Sequence, residues 1–375
     1  MTPSQEIALA VAASAVVAAI VIGAVRRRAR RIAEAVAYVR GVHYVLSDAP
    51  DAAIGELTRA VELNPSASQS SIETYFALGK LFRRKGDLEH AIRLHQNILL
   101  RPGLPAESKR QAQLELALDL QRAGMLSRAV EAFEKFLAEA PTHPEALAGL
   151  RQVHETARDF EAAAEVQVRV VKSGQGGEAV LAHLLASAAR AALGADREHA
   201  QKLADGAVQA DASSPDALLA RAEVLAARGQ PQQAAEQLRT LLARTPEAAL
   251  AAEPLLAKVL PPDEVVAALA GDGPPARWVA LGRARARAGD RAGAAEALRQ
   301  ALVQEPGFAP ARRDLGALLL GAPLEPGTQP AYEELLRALG RHELELQCDA
   351  CKQTSSEPGW QCPRCGAWDS LRRAG

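Results

Sequence analysis

At 375 residues the chain holds roughly two to three domains' worth of material, more than a single core usually organises. Hydrophobic residues make up 48% of it and aromatics only 3%, and much of the apolar share is alanine, the best helix former. Runs with period-two alternation are scarce, which argues against a sandwich, a barrel or a Rossmann domain. The net charge of −1 excludes a general polyanion binder, and four cysteines in the whole chain exclude a disulfide scaffold. The expected class is all-α.

The first element in chain order is apolar. Ile7 to Val25 reads IALAVAASAVVAAIVIGAV without a charge, and a helix of that length spans about 28 Å, close to the hydrocarbon thickness of a bilayer. Arg26, Arg27, Arg28, Arg30 and Arg31 follow at once, whereas Glu6 is the one charged side chain before it. A cleaved signal peptide carries its positive charge ahead of the apolar run, and here it comes after. Residues 7–25 are therefore expected to be an uncleaved anchor, with 1–6 outside and everything after the arginines on the cytoplasmic side.

From about Ala37 the chain repeats itself. A small residue in one helix recurs with an alanine twelve positions on: Gly41 with Ala53, Gly79 with Ala91, Ala117 with Ala129, Ala222 with Ala234, and Gly282 with Ala294. Tyr44, Phe82, Leu120 and Leu225 follow the first member, and Pro65, Pro141, Pro246 and Pro306 close copies. Antiparallel helices approach closely only where small side chains meet, while the large residue a turn away fills the adjacent hole. Gly86-Asp87 and Gly289-Asp290 sit where the first helix must end and the second begin. Weaker copies lie around Asp159–Ala163 and Ala188–Ala200. The pattern resembles tetratricopeptide repeats, whose period is about 34 residues, and such arrays bind proteins rather than catalyse. Segments 248–260 and 263–270 read as extra helices, 271–275 and 321–330 as breaks, and 332–346 as a returning helix.

The C-terminus carries Cys348-Asp-Ala-Cys351 and Cys362-Pro-Arg-Cys365-Gly366. Two such turns bring four thiolates together, with backbone N–H groups pointing at the sulfurs. In a reducing compartment Cys348, Cys351, Cys362 and Cys365 are expected to ligate one metal ion, Zn²⁺ or a single iron, rather than pair as disulfides. A segment as short as 347–375 needs that ion for most of its folding free energy. Trp360 and Trp368 flank the second turn and are expected to cover the site or dock it on another surface.

Nucleotide loops, HExxH and GxSxG are absent from the sequence, and no catalytic or cofactor-binding constellation appears. His90 and His95 share one helix at a spacing that suits surface or packing roles. Arg364, Arg372 and Arg373 are too few near the knuckles for phosphate recognition, so nucleic acid is not an expected partner.

The order of anchor, arginines, repeats and four-cysteine tip resembles the lipopolysaccharide assembly protein B family of Gram-negative bacteria. The stretches LGKLFRRKGDLEHAIRLHQN from Leu78 and WQCPRCGAW from Trp360 to Trp368 carry the likeness most specifically. The resemblance implies a periplasmic tail over 1–6, an inner-membrane anchor over 7–25, a basic juxtamembrane segment over 26–36, a repeat array over 37–346 and a rubredoxin-like domain over 347–375. It implies iron on the four cysteines, although Lys352 stands where a glycine usually follows the first knuckle. It further implies a non-enzymatic adaptor that helps a membrane-bound AAA+ protease degrade the lipid A pathway deacetylase, thereby regulating lipopolysaccharide biosynthesis, and it admits other inner-membrane lipopolysaccharide assembly proteins as partners. The competing readings are a rubredoxin-type electron carrier and a generic scaffold at the inner membrane.

Overall fold

The computed structural model describes the backbone of residues 3–47, 49–63, 69–320, 346–355 and 359–373, and the side chains of these apart from 3–15, 46, 69–71, 320 and 373. It is an all-α repeat fold with a small sheet near the C-terminus, and it divides into two compact units, Met1–Val153 and His154–Gly375.

In the first unit, α1 (Pro3–Leu46) packs on α2 (Pro50–Leu63), α3 (Gln69–Lys85) on α4 (Leu88–Leu99), and α5 (Ala106–Arg122) on α6 (Leu126–Glu139), with α7 (Pro144–Thr156) following. The small-residue rule explains the hairpins. Ala53, Ala91 and Ala129 are fully buried, and the nearest neighbours of the hydrogen that replaces a side chain in each glycine lie one turn beyond the alanine. A Cβ on Gly41 would stand 2.6 Å from Leu57 Cγ, and one on Gly79 would stand 2.5 Å from His95 Cε1 and Nε2. Ala53, Leu57, Leu78 and Leu81 form one core cluster, and Ile72, Phe76, Ile98 and Ala112 form the next. Between α3 and α4, Gly86 turns the chain at φ +88° and Asp87 accepts the His90 N–H. Left-handed φ is open to glycine without a Cβ clash, which is why this residue ends the helix so often.

Polar groups in this unit pair across successive first helices. Asp119, fully buried, takes His95 Nδ1 at 2.5 Å and Arg83 Nη1 at 2.8 Å, while Glu115 takes Arg83 at 2.6 Å and Lys80 at 2.8 Å. His95 is thus a packing residue, as expected. His90 stays exposed, bonded to Asp87 and stacked on Phe82.

In the second unit, α8 (Phe160–Lys172) and α9 (Glu178–Ala192) are followed by α10 (Arg197–Ala210), α11 (Pro215–Ala227) and α12 (Pro231–Arg244). A 3-10 turn over Pro246–Ala248 leads into α13 (Ala249–Val259) and α14 (Pro262–Leu269), the two extra helices expected from sequence. Next come α15 (Pro275–Arg287), α16 (Arg291–Gln304) and α17 (Ala309–Leu320). The weaker copy over Ala188–Ala200 is a full hairpin, α9 packed on α10, and in the copy around Asp159–Ala163 Asp159 caps α8 and Ala163 is fully buried. Ala188 and Ala200 are both buried, and in one cluster the buried members, Ala182, Ala186, Ala207, Ala217 and Ala220, are all alanine, with Leu185 and Val208 packed against them. Close approach, rather than large side chains, removes apolar surface from water in this stretch. Residues 270–274 separate α14 from α15. Pro65, the break at 321–330 and residues 332–345 of the expected helix lie outside the described residues; Leu346, its last residue, is a strand residue instead. Backbone pairing to Ser355 and Arg373 draws it into the sheet.

Candidate metal centre and its dock

Three short strands carry the tip: β1 (Leu346–Cys348), β2 (Thr354–Ser355) and β3 (Leu371–Arg373), antiparallel in the order β2-β1-β3. Cys348 ends β1, and the two knuckles are near copies of each other. In the first, Cys348 N–H donates to Gln353 O and Lys352 N–H to Cys348 O; in the second, Cys362 N–H donates to Ala367 O and Gly366 N–H to Cys362 O. Lys352 and Gly366 occupy the same left-handed position, at φ +58° and +71°. The lysine therefore holds a conformation that its Cβ disfavours.

The four sulfurs lie within 4.8 Å of one another. Cys348 and Cys365 are 3.6 Å apart, Cys351 and Cys362 3.9 Å. Sulfurs placed tetrahedrally at about 2.3 Å from a metal stand about 3.8 Å apart, so these four can hold one ion, and all four are free thiols. Cys348 and Cys362 are buried, whereas Cys365 is exposed. The Ser370 hydroxyl, 3.2 Å from Cys348 Sγ, together with the Cys351 and Ala350 N–H groups, pulls Cys348 down to about 6. Cys365 is drawn down by the Ala367 N–H, but the loss of some water around its sulfur and the neighbouring Cys348, Cys362 and Cys351 sulfurs push it up to about 12. Crowded sulfurs resist a second negative charge unless a cation shares it.

The tip is docked on the repeats of its own unit. His183, on α9 and 2% exposed, lies parallel to the Trp368 ring at 4.9 Å between centroids and also meets Trp360 at 5.7 Å. Its Nδ1 is 2.8 Å from Asp216 of α11, and its Nε2 is 2.8 Å from Asp369 of the tip. Burial opposes a charge on His183, yet hydrogen bonds to Asp216 and Asp369 and their negative charges raise its pKa above the ordinary imidazole value. With a carboxylate on each nitrogen, the ring acts as an imidazolium stacked on indole. Asp216 is braced in turn by Arg190 at 2.8 Å. Gln361 of the tip also donates to Glu155, which lies in the same second unit at the very end of α7, and Trp368 packs on the cluster of Ala163, Ala164, Leu181 and Leu184. The expectation that the tryptophans dock the tip is thus met, but His183, Asp216 and Asp369 escaped notice. A lone histidine in an alanine-rich helix, 186 residues from its partner, carries no local signal.

A family model for the tetratricopeptide repeat matches residues 111–143. Lipopolysaccharide assembly protein B of Escherichia coli is 26% identical over 353 residues, spanning 89% of this chain and 88% of that protein. The chain is similar to lipopolysaccharide assembly protein B over most of its length. The protein of the same name from Haemophilus influenzae is 29% identical over 139 residues, 36% of this chain and 35% of its own. Among solved structures, a tetratricopeptide repeat protein from Parabacteroides merdae aligns with 76% of this chain and 99% of its own at 13% identity and a TM-score of 0.38.

Proposed function

We propose that the chain is a non-catalytic adaptor in lipopolysaccharide assembly, tethered to the inner membrane and finished by a metal-clamped tip. The observation that carries this reading is the extent of the similarity: a match over 89% of the chain takes in far more than one shared repeat. Repeat helices supply surfaces for other proteins. Their buried charges are spent on each other, as in Asp119 with Arg83 and His95, Asp216 with Arg190 and His183, and Glu253 with Arg287.

For the tether, Val16, Val17, Ile20, Val21, Ile22 and Val25 of α1 are all at least half exposed, and at 3.6 residues per turn they spread over about two-thirds of the helix circumference. A helix on a globular surface buries an apolar stripe instead. Among the described residues no helix is long and apolar enough to cross a membrane; the span over 7–25 begins in side chains outside the description. We read 7–25 as the span, with Arg26–Arg31 on the cytoplasmic side. Cys348, Cys351, Cys362 and Cys365 are the ligands of one ion, iron by resemblance or zinc. The ion supplies cross-linking free energy to a sheet too small to hold itself.

An adaptor of this kind acts by raising the local concentration of two membrane-associated proteins. The finer reading is that these are a membrane-bound AAA+ protease and the lipid A pathway deacetylase, whose degradation restrains synthesis. Deleting the gene is expected to raise the deacetylase level, and purification from membranes is expected to co-isolate protease or deacetylase. An unchanged deacetylase level overturns the finer reading. Turnover of a small molecule by the purified cytoplasmic part, with no companion, overturns the adaptor reading altogether.

A further inference from the structure

His183 lies outside the four-cysteine set yet is joined to it by a short chain of contacts. Asp369, which it grips, is fixed at φ +49° and donates its N–H to Trp360 O at 2.6 Å. That bond, with the bridge between Gln361 and Trp368, closes the base of the hairpin that presents Cys362 and Cys365. The next residue, Ser370, places its hydroxyl 3.2 Å from Cys348 Sγ, and its carbonyl accepts the Asp349 N–H at 2.7 Å. Both knuckles therefore hang on residues 368–370, and residues 368 and 369 touch His183 directly. On its other side the imidazole is held by Asp216, itself 1% exposed and tied to Arg190. Every polar atom of the ring is used, one toward the repeats and one toward the tip.

We propose that His183 is a positioning residue for the metal centre: a side chain of the repeat array that sets the geometry of the thiolate site through Asp369 and so governs how long the ion is held. The coupling runs both ways by linkage. An empty tip loosens its grip on α9 and α11, and an undocked tip loses its ion faster. The proposal rests on the reading of the four cysteines as metal ligands.

Partners behind metal ligands typically contribute 10- to 100-fold in affinity. In the full chain loaded with Zn²⁺, His183→Ala and Asp369→Asn are each expected to speed zinc release to a chromogenic chelator by about 10-fold. Asp369→Asn leaves α9 and α11 untouched and keeps a residue that tolerates left-handed φ, so it tests the link even if the alanine variant disturbs the repeats. Tryptophan emission should change in step with release, because the charged ring leaves the indole. The double variant should release zinc no faster than the faster single one, since both break the same link. Release within twofold of the parent in both variants, acceleration by His183→Ala alone, or additive effects in the double variant overturns the proposal. A parent chain that cannot be loaded with Zn²⁺ or iron at all overturns instead the metal reading beneath it.

Discussion

Glycine to alanine in a helix interior ordinarily stabilises by about 1 kcal/mol, and the crossing point between α3 and α4 should reverse that sign. In Gly79→Ala the new methyl would stand 2.5 Å from His95 Cε1 and Nε2, far inside contact distance. His95 has nowhere to go: it is fully buried and its Nδ1 is held by Asp119 at 2.5 Å. Overpacking of this kind costs about 1–3 kcal/mol. If the imidazole swings away instead, the buried Asp119 loses a partner, at about 1–3 kcal/mol. Set against the propensity gain, the net loss is about 1 kcal/mol, or about 2–4 °C in Tm for a cooperative unit of this size. Gly55→Ala in α2 is the control, because nothing lies within 4 Å of its would-be Cβ; it should stabilise by about 1 kcal/mol. Thermal and urea unfolding followed by circular dichroism at the helical band measures both. Adding His95→Ala to Gly79→Ala should recover part of the loss relative to His95→Ala alone, since the clash is gone. If Gly79→Ala stabilises as Gly55→Ala does, the close-approach account of the repeat spacing is wrong.

Lys352→Gly should stabilise the tip by about 1 kcal/mol, because it relieves a left-handed lysine at the position Gly366 fills in the other knuckle; slower thiol labelling at low metal concentration is the readout. Docking of the tip should depend on pH through His183, whose folded pKa is raised by Asp216 and Asp369, with Asp211 nearby and Arg190 behind Asp216. A raised imidazole pKa means that its contribution is complete below the unfolded value near 6.5 and is lost as pH climbs through the higher folded value. Tryptophan emission should therefore report undocking toward alkaline pH, and a profile unchanged in His183→Gln would count against it. Cys362→Ser should abolish metal binding and unfold the tip while the helical signal persists, as metal analysis and circular dichroism will show. Loss of helicity throughout would mean that the repeats need the tip to fold.

The repeats were legible because their cause is local and periodic. Gly41, Gly79 and Gly282 mark crossings where a Cβ would meet Leu57, His95 and Leu298, and each recurs at a set distance from an alanine. Turns were legible for the same reason, since Gly86-Asp87 and Gly289-Asp290 combine a left-handed terminator with a capping carboxylate. Even the weaker copies around Asp159–Ala163 and Ala188–Ala200 kept their helices, because alanine satisfies close packing without a recognisable motif. The four cysteines were equally plain: paired CxxC turns leave sulfur little else to do.

Chain order alone therefore determined the helical class, the repeat register and the grouping of the four cysteines, all of which arise from neighbours within one repeat or one turn. The tertiary structure decided where the tip rests and which buried charges answer each other. His183 meets Asp369 across 186 residues, and Arg83 finds Asp119 only when successive first helices stack. Such pairs follow from desolvation, which makes an unpartnered buried charge untenable wherever folding happens to place it, and no spacing rule along the chain records that placement.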